Sequence, residues 1–372
     1  MTPMRNHSDD AYAETATTTA DHNSSIFSLA AAFASRPTAA ATTSFTEHPA
    51  APSPQPPPPP PPPPTSRSEL PPAARSNHGR RLKQQQHRPL LPRPGRPHRR
   101  HRRRGRRRPS HESKILEVLG AAVNGAAPTE LSAEATAGEV DKLYAAAAAG
   151  SDAEEFLWAW WSLLVGVVKL IPADDARMQL LVSVIAKLKA RRDDEVEMWG
   201  QKTRVWSELP MLGPNMRDAW NMRPMFDGSD RDNEAIREWI SLNSFAARMF
   251  GTKLQSWDNF AIWELRSGLE EPPLSTPSAK ETSLATACEW ITHAGDELHR
   301  QGHAGRQLEA MEERALKPGQ LFATGKPGLS DERWRFWRER IGALAGSAGS
   351  GQLKERAQKV VDKMKDLDEG SA

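Results

Sequence analysis

The sequence predicts an all-α protein: a single globular array of about eight to ten helices behind a long disordered arm. Three observations lead there. Through residues 112–372 apolar side chains recur at the 3.6-residue helical period. Alternating β-branched runs bounded by turn residues are missing from the same stretch, apart from a short extended piece near 196–199. Finally, 21 of the 31 prolines lie before residue 112, whereas all 12 tryptophans lie between Trp158 and Trp337. The expected organisation is a disordered Ala/Thr/Pro-rich and Arg-rich arm, residues 1–111, followed by one Trp-rich domain, residues 112–372.

The arm has two parts. From residue 11 to 54 it is mostly Ala, Thr, Ser and Pro, and Pro56 to Pro64 are nine consecutive prolines. Fixed φ and missing amide donors make such a run a stiff polyproline II rod, either a spacer or a ligand for an aromatic groove. Residues 70–111 then hold 15 basic and no acidic side chains, against 32 basic and 41 acidic in residues 112–372. The densest part comprises Arg99, Arg100, Arg102, Arg103, Arg104, Arg106, Arg107 and Arg108. No core accepts that charge, and self-repulsion keeps it extended. It reads as a nuclear-import address, a nonspecific RNA or DNA tether, or a solvated extension. With no aromatic residue between Phe45 and Tyr144 to stack on bases, sequence-specific reading of nucleic acid is not expected.

The domain's helices carry their own boundaries. A first helix is expected over 112–123. Ser151, followed three residues on by Glu154, has the capping-box pattern, and a wide apolar face including Phe156, Trp160, Trp161, Leu164 and Val168 runs on until Pro172. This apolar stretch is well short of the roughly 20 residues that a membrane span needs. Helices follow near 174–190, burying Leu181, Val184, Ile185 and Leu188, and over 232–250. The latter has two apolar faces, as a central, doubly covered helix would, and a polar stripe of Arg237, Ser241, Ser244 and Arg248. Segments at 257–271, 281–303 and 331–345 keep the same period, and a Gly/Ser break at 346–351 precedes a last helix. The single cysteine, Cys288, and the absence of a signal-peptide order at the N-terminus point to a soluble intracellular protein of cytoplasm or nucleus, with no membrane partner.

Several blocks of the domain are centred on tryptophan. They are Trp199-Gly200, WSELPMLGPNMRDAW (Trp206 to Trp220), WISLNSFAAR (Trp239 to Arg248), WDNFAIWELRSGLE (Trp257 to Glu270) and EWITHAG (Glu289 to Gly295). With the Trp160/Trp161 helix they resemble a fungal family known as domain of unknown function 3632. The arm has no counterpart in that pattern. The resemblance implies a helical protein, and it brings no catalytic residue, cofactor or substrate.

Motifs for known chemistry are missing. GQLFATGKP, Gly319 to Pro327, has its first glycine one residue too far from the lysine for a phosphate-binding loop, and proline stands where the magnesium-binding hydroxyl belongs. Nucleophile elbows and H-E-x-x-H are absent, and Cys288 shares a helix face with Leu284, Ile291 and Leu298, as a buried inert thiol would. Asp296, His299 and His303 lie on one helix side with a spacing open to metal ligation, but a solvated helix flank accounts for them more simply, and no metal or cofactor is expected. Asn243 and Glu264 are polar residues on apolar faces and need partners. They either hold helices in register or line a pocket floored by Glu264 with Arg217 or Arg266 nearby. Trp158 falls on the polar stripe of Glu155, Ser162 and Lys169, as an exposed partner-binding anchor or as a side chain covered by the first helix or by a loop.

Two functional classes follow. One is a non-enzymatic protein-interaction module with a flexible basic arm, its partner protein not identified by the sequence. The other is a small-molecule-binding protein or enzyme with a Trp-lined pocket between helices. The arm's behaviour is independent of that choice. A detached peptide of residues 80–108 is expected to bind RNA and DNA alike, its affinity falling steeply with salt because each neutralised phosphate releases roughly 0.7 to 0.9 of a counterion. Filter binding at two salt concentrations checks this, and salt-independent binding would contradict it.

Overall fold

Eleven α-helices, a π-helical turn, a short 3-10 helix (Gln320–Phe322) and one β-hairpin account for the regular structure of the described residues of a computed structural model, 110–370 with the exception of 126, 192 and 199. The polyproline run, the arginines from Arg99 to Arg108 and Trp199 lie outside them. In chain order the helices are α1 (His111–Asn124), α2 (Glu130–Ala149), α3 (Ala153–Leu170) and α4 (Ala176–Lys189). A hairpin of β1 (Glu195–Met198) and β2 (Gln201–Arg204) follows, antiparallel, with Glu195 opposite Arg204. Then come α5 (Leu212–Trp220), α6 (Asp230–Gly251), α7 (Asp258–Leu265) with a π-helical continuation Arg266–Glu270, α8 (Pro277–Ala304), α9 (Ala310–Ala315), α10 (Asp331–Ser347) and α11 (Gly351–Gly370). The protein is all-α, as the periodicity predicts.

Most helices start on a side-chain cap. Ser110, Thr129, Asp175, Ser229, Thr276 and Ser330 each accept an amide of the first turn, at 2.8 to 3.3 Å, and so satisfy a donor that the helix leaves open. The capping box expected at Ser151 does not form. Ser151 sits at φ 68° in the left-handed turn after Gly150, so the N-cap position of α3 passes to Asp152, which makes no side-chain cap bond. Helix α2 has weak sequence periodicity because small side chains make most of its buried face: Ala133, Thr136, Ala137 and Ala147, with Val140 and Tyr144.

Helix α6 is central. It packs along α8 on one side and against α3 and α4 on the other, while α10 and α11 pair with each other and with α8. Its expected polar stripe does not face water, apart from the exposed Arg237. Ser241 and Ser244 are buried, and the Ser244 hydroxyl and the Arg248 guanidinium donate to the Ala173 carbonyl, at 3.1 and 3.2 Å, in the turn between α3 and α4. Among the described residues no helix is long and apolar enough to cross a membrane.

The crossing of α6 and α8 is tightest at Gly251, where a Cβ would run into the His293 carbonyl and lie 3.1 Å from the Ala294 Cα. Helix propensity alone makes Gly→Ala stabilising by about 1 kcal/mol. The close approach reverses the sign: Gly251→Ala is expected to destabilise by roughly 1 to 3 kcal/mol through overpacking, measured by urea unfolding.

Candidate functional site

Glu264 is carried on the buried side of α7 and is 6% exposed. The Trp220 indole at the end of α5 donates to it at 3.0 Å, and Arg223 forms an ion pair with the same oxygen. Arg223 also lies over the Trp239 ring, 4.8 Å from its centroid, and Trp220 stacks on Phe260 at 4.3 Å. Burial pushes the Glu264 carboxyl above the usual range, with the Arg223 charge and the Trp220 N–H opposing it. The partnering cation is thus Arg223, in the loop after α5, and not Arg217 or Arg266. Arg217 is exposed, whereas Arg266 donates to the carbonyls of Ala315 and Lys317 at 3.1 and 3.0 Å.

Asn243 is fully buried on α6 and has its own partners. Its amide donates to the Trp239 carbonyl at 2.9 Å and its oxygen accepts the Trp290 indole N–H from α8 at 2.8 Å. Asn243 and Glu264 therefore hold separate helix contacts. Among the described residues, clefts open at the surface beside Lys169, Ala173 and Glu238, of about 300 Å³, and beside Asp258, Arg300 and Arg306, of about 580 Å³, and neither of these is lined by Glu264 or Asn243. The aromatic rings around Glu264 pack on one another and on Arg223.

Among the described residues, the charge pair with both partners fully buried is one that sequence periodicity does not single out. Glu270, in the π-helical turn, and Arg333, in the first turn of α10, are both 0% exposed and face each other through two hydrogen bonds of 2.6 and 3.0 Å. The Trp337 indole donates to Glu270 at 2.6 Å and the Gly319 amide at 2.7 Å. The remaining guanidinium donors reach the Leu316, Gly328 and Lys317 carbonyls at 2.9, 2.7 and 3.4 Å. A third buried carboxylate, Glu289 on α8, pairs with Arg356 of α11 and lies 3.3 Å from His293. Burial pushes its carboxyl up, but His293, Arg356 and Ser244 together hold it below the usual range. Next to it Cys288 is buried, its thiol pushed up to about 12 by burial, which suppresses the reactive thiolate at neutral pH.

The flank residues of α8 diverge. Asp296 pairs with Lys363 at 2.7 Å, His299 with Asp368 at 3.2 Å and His303 with Asp331 at 3.3 Å. Among the described residues no group of three or more His, Cys, Asp or Glu could hold a metal ion. Trp158 is half-buried and packs against the core. The outward-facing apolar side chains include Met222 and Met225, 67% and 83% exposed, in the loop between α5 and α6. That loop is held from beneath: the Asp232 carboxylate accepts the amides of Met225 and Phe226 at 2.9 and 2.8 Å.

Fold and contacts together define an all-α domain in which tryptophans and buried carboxylates tie helices to one another. Residues 161–341 match the family model described as Protein of unknown function (DUF3632), and the domain they span belongs to that family. The match extends from Trp161 in α3 to Ile341 in α10, wider than the tryptophan blocks. No curated protein and no solved structure matches the chain.

Removing the Glu264 carboxylate is expected to destabilise the fold by roughly 1 to 4 kcal/mol in Glu264→Ala, because Trp220 loses its acceptor. The conservative Glu264→Gln reports on pH. A carboxyl raised in the folded state binds its proton there more tightly than in the unfolded chain. The wild type should therefore gain stability relative to Glu264→Gln as pH falls from 7 toward the unfolded carboxyl range. Paired denaturant titrations across that window check the sign, and a constant difference would place no raised carboxyl at this position.

Proposed function

We propose that this protein is a non-enzymatic interaction module that presents the loop between α5 and α6 to an apolar groove on a protein partner, its basic arm adding affinity for polyanions. The observation that carries this reading is the pairing of outward methionines with a fastened backbone. Met222 and Met225 stand in water, while Arg223 between them is anchored to Glu264 and Trp239, and Asp232 holds the amides of residues 225 and 226. Methionine is a flexible, polarizable side chain suited to filling an irregular partner surface. A loop already ordered loses less conformational freedom on binding. The engagement of Glu264, Glu270 and Asn243 by indole and guanidinium groups supports the same reading, since those polar groups are occupied with helix contacts.

The test is cross-linking and capture with the full-length chain and with a Met222→Ser, Met225→Ser variant. Both side chains are exposed, so the variant should unfold within about 0.5 kcal/mol of the wild type and lose the partner that the wild type retains. Retention of the same partner by a variant of unchanged stability would overturn the assignment of the loop.

A further inference from the structure

We propose that Ser110 is a phosphorylation site for an arginine-directed protein kinase, and that its phosphate weakens the arm's hold on polyanions. Ser110 is the only serine or threonine in the chain with arginine at both the second and the third position before it, Arg108 and Arg107, and Arg102, Arg103, Arg104 and Arg106 precede these. Kinases of this class read a substrate through carboxylates that pair with guanidinium groups ahead of the acceptor hydroxyl, a charge pattern that excludes other serines.

The structure places the acceptor within reach. Ser110 is exposed, and its backbone is extended, φ −63° and ψ 161°, the conformation in which a peptide lies along an enzyme cleft. Among the described residues its hydroxyl meets only Ser113, accepting that amide at 3.3 Å and lying 3.1 Å from that hydroxyl. The next residue, His111, is held by a 3.4 Å contact to Asp152 and an edge contact to Phe156. Helix ends fray, and the first turn of α1 precedes Ile115, Leu119 and Val123, the buried residues of that helix, so the acceptor can extend into an enzyme cleft while those residues stay packed. In the transfer the Ser110 oxygen bonds to the γ-phosphorus of ATP. The bond from that phosphorus to the β,γ-bridging oxygen breaks, ADP leaves, and the hydroxyl proton passes to the kinase's catalytic base.

The consequence is electrostatic, and this part rests on the reading of the arm as a polyanion-binding segment. Phosphate adds about −1.5 to −2 charges. At Ser110 it sits at the N-terminus of α1, where the amide of Ser113 and the helix dipole favour an anion. Arg106, Arg107 and Arg108 precede it by two to four residues in the sequence, and guanidinium groups pair bidentately with phosphate. Guanidinium groups held there no longer displace counterions from nucleic acid.

The experiment treats the full-length chain with Mg-ATP and the catalytic subunit of cAMP-dependent protein kinase as the probe, then maps the phosphate and measures binding to duplex DNA and single-stranded RNA. Phosphate is expected at Ser110, with affinity lowered on the order of tenfold near 0.1 M salt and the log–log salt slope reduced by roughly 1.4 to 1.8, the change expected when the arm neutralises about two fewer nucleic-acid phosphates. Ser110→Ala should keep the unmodified affinity after treatment. Arg107→Ala with Arg108→Ala should lose labelling at Ser110 by tenfold or more while leaving the acceptor in place. Phosphate on other residues with Ser110 unlabelled would overturn the site. Labelling at Ser110 with unchanged affinity would overturn the switch. If the untreated chain binds neither nucleic acid, the polyanion reading and the switch fall together, and the labelling decides the site by itself.

Discussion

Glu270 and Arg333 are both withdrawn completely from water, and the C-terminal half of the fold is arranged so that neither pays the full penalty of that burial. Desolvating a carboxylate and a guanidinium is unfavourable by several kcal/mol each unless their hydrogen-bonding capacity is filled. Here it is filled throughout: the two charges bond each other, Trp337 and the Gly319 amide complete the carboxylate, and the Leu316, Gly328 and Lys317 carbonyls complete the guanidinium. The connection from α9 to α10 must therefore wrap around Arg333. Gly319 has to be glycine, since a Cβ there would stand 2.7 Å from both the Glu270 Cβ and its carbonyl oxygen.

The same solution recurs along the central helices. Glu264 is matched by Arg223 and the Trp220 indole, Glu289 by Arg356 and His293, and Asn243 by the Trp290 indole. This gives Trp220, Trp290 and Trp337 a polar role that phenylalanine could not take, whereas the buried indoles of Trp160, Trp161 and Trp334 make no such bond among the described residues and serve as packing. An indole buries a large apolar surface and also brings one N–H donor to a buried acceptor. Nearer the surface, the Trp206 indole donates to Asp141 at 2.9 Å and the Trp263 indole to the Ala315 carbonyl at 3.2 Å. Each such bond crosses between elements distant in sequence, so the polar contacts fix which helix faces which, and the apolar contacts fill the space between them.

What could be read from the sequence follows from this division. Long helices with large apolar residues are legible by period, as α3, α6, α8 and α11 show, while the alanine-faced α2 is not. Glu264 and Asn243 stand out as polar positions on apolar faces and are indeed buried, because wheel geometry holds within a regular helix. Arg223 escapes notice because it lies in a loop with no period to betray it. Glu270 escapes for another reason: the π-helical turn from Arg266 shifts the register, so a wheel drawn from α7 misplaces it. Arg333 stands in the first turn of α10, where a charged residue normally faces water, and only the chain folded over it removes it from solvent. Long-range partners of this kind leave no local signature in one sequence.

Packing of α10 against the π-helical turn depends on the Glu270–Arg333 pair, and a double-mutant cycle measures that dependence most directly. Glu270→Gln and Arg333→Met are expected each to lower unfolding stability by roughly 3 to 5 kcal/mol, since each leaves a buried charge unmatched. The double variant should be well short of their sum, with a coupling of about 2 kcal/mol or more. A coupling below about 0.5 kcal/mol, the range for independent sites, would contradict this dependence and leave the apolar core alone to hold this half of the fold.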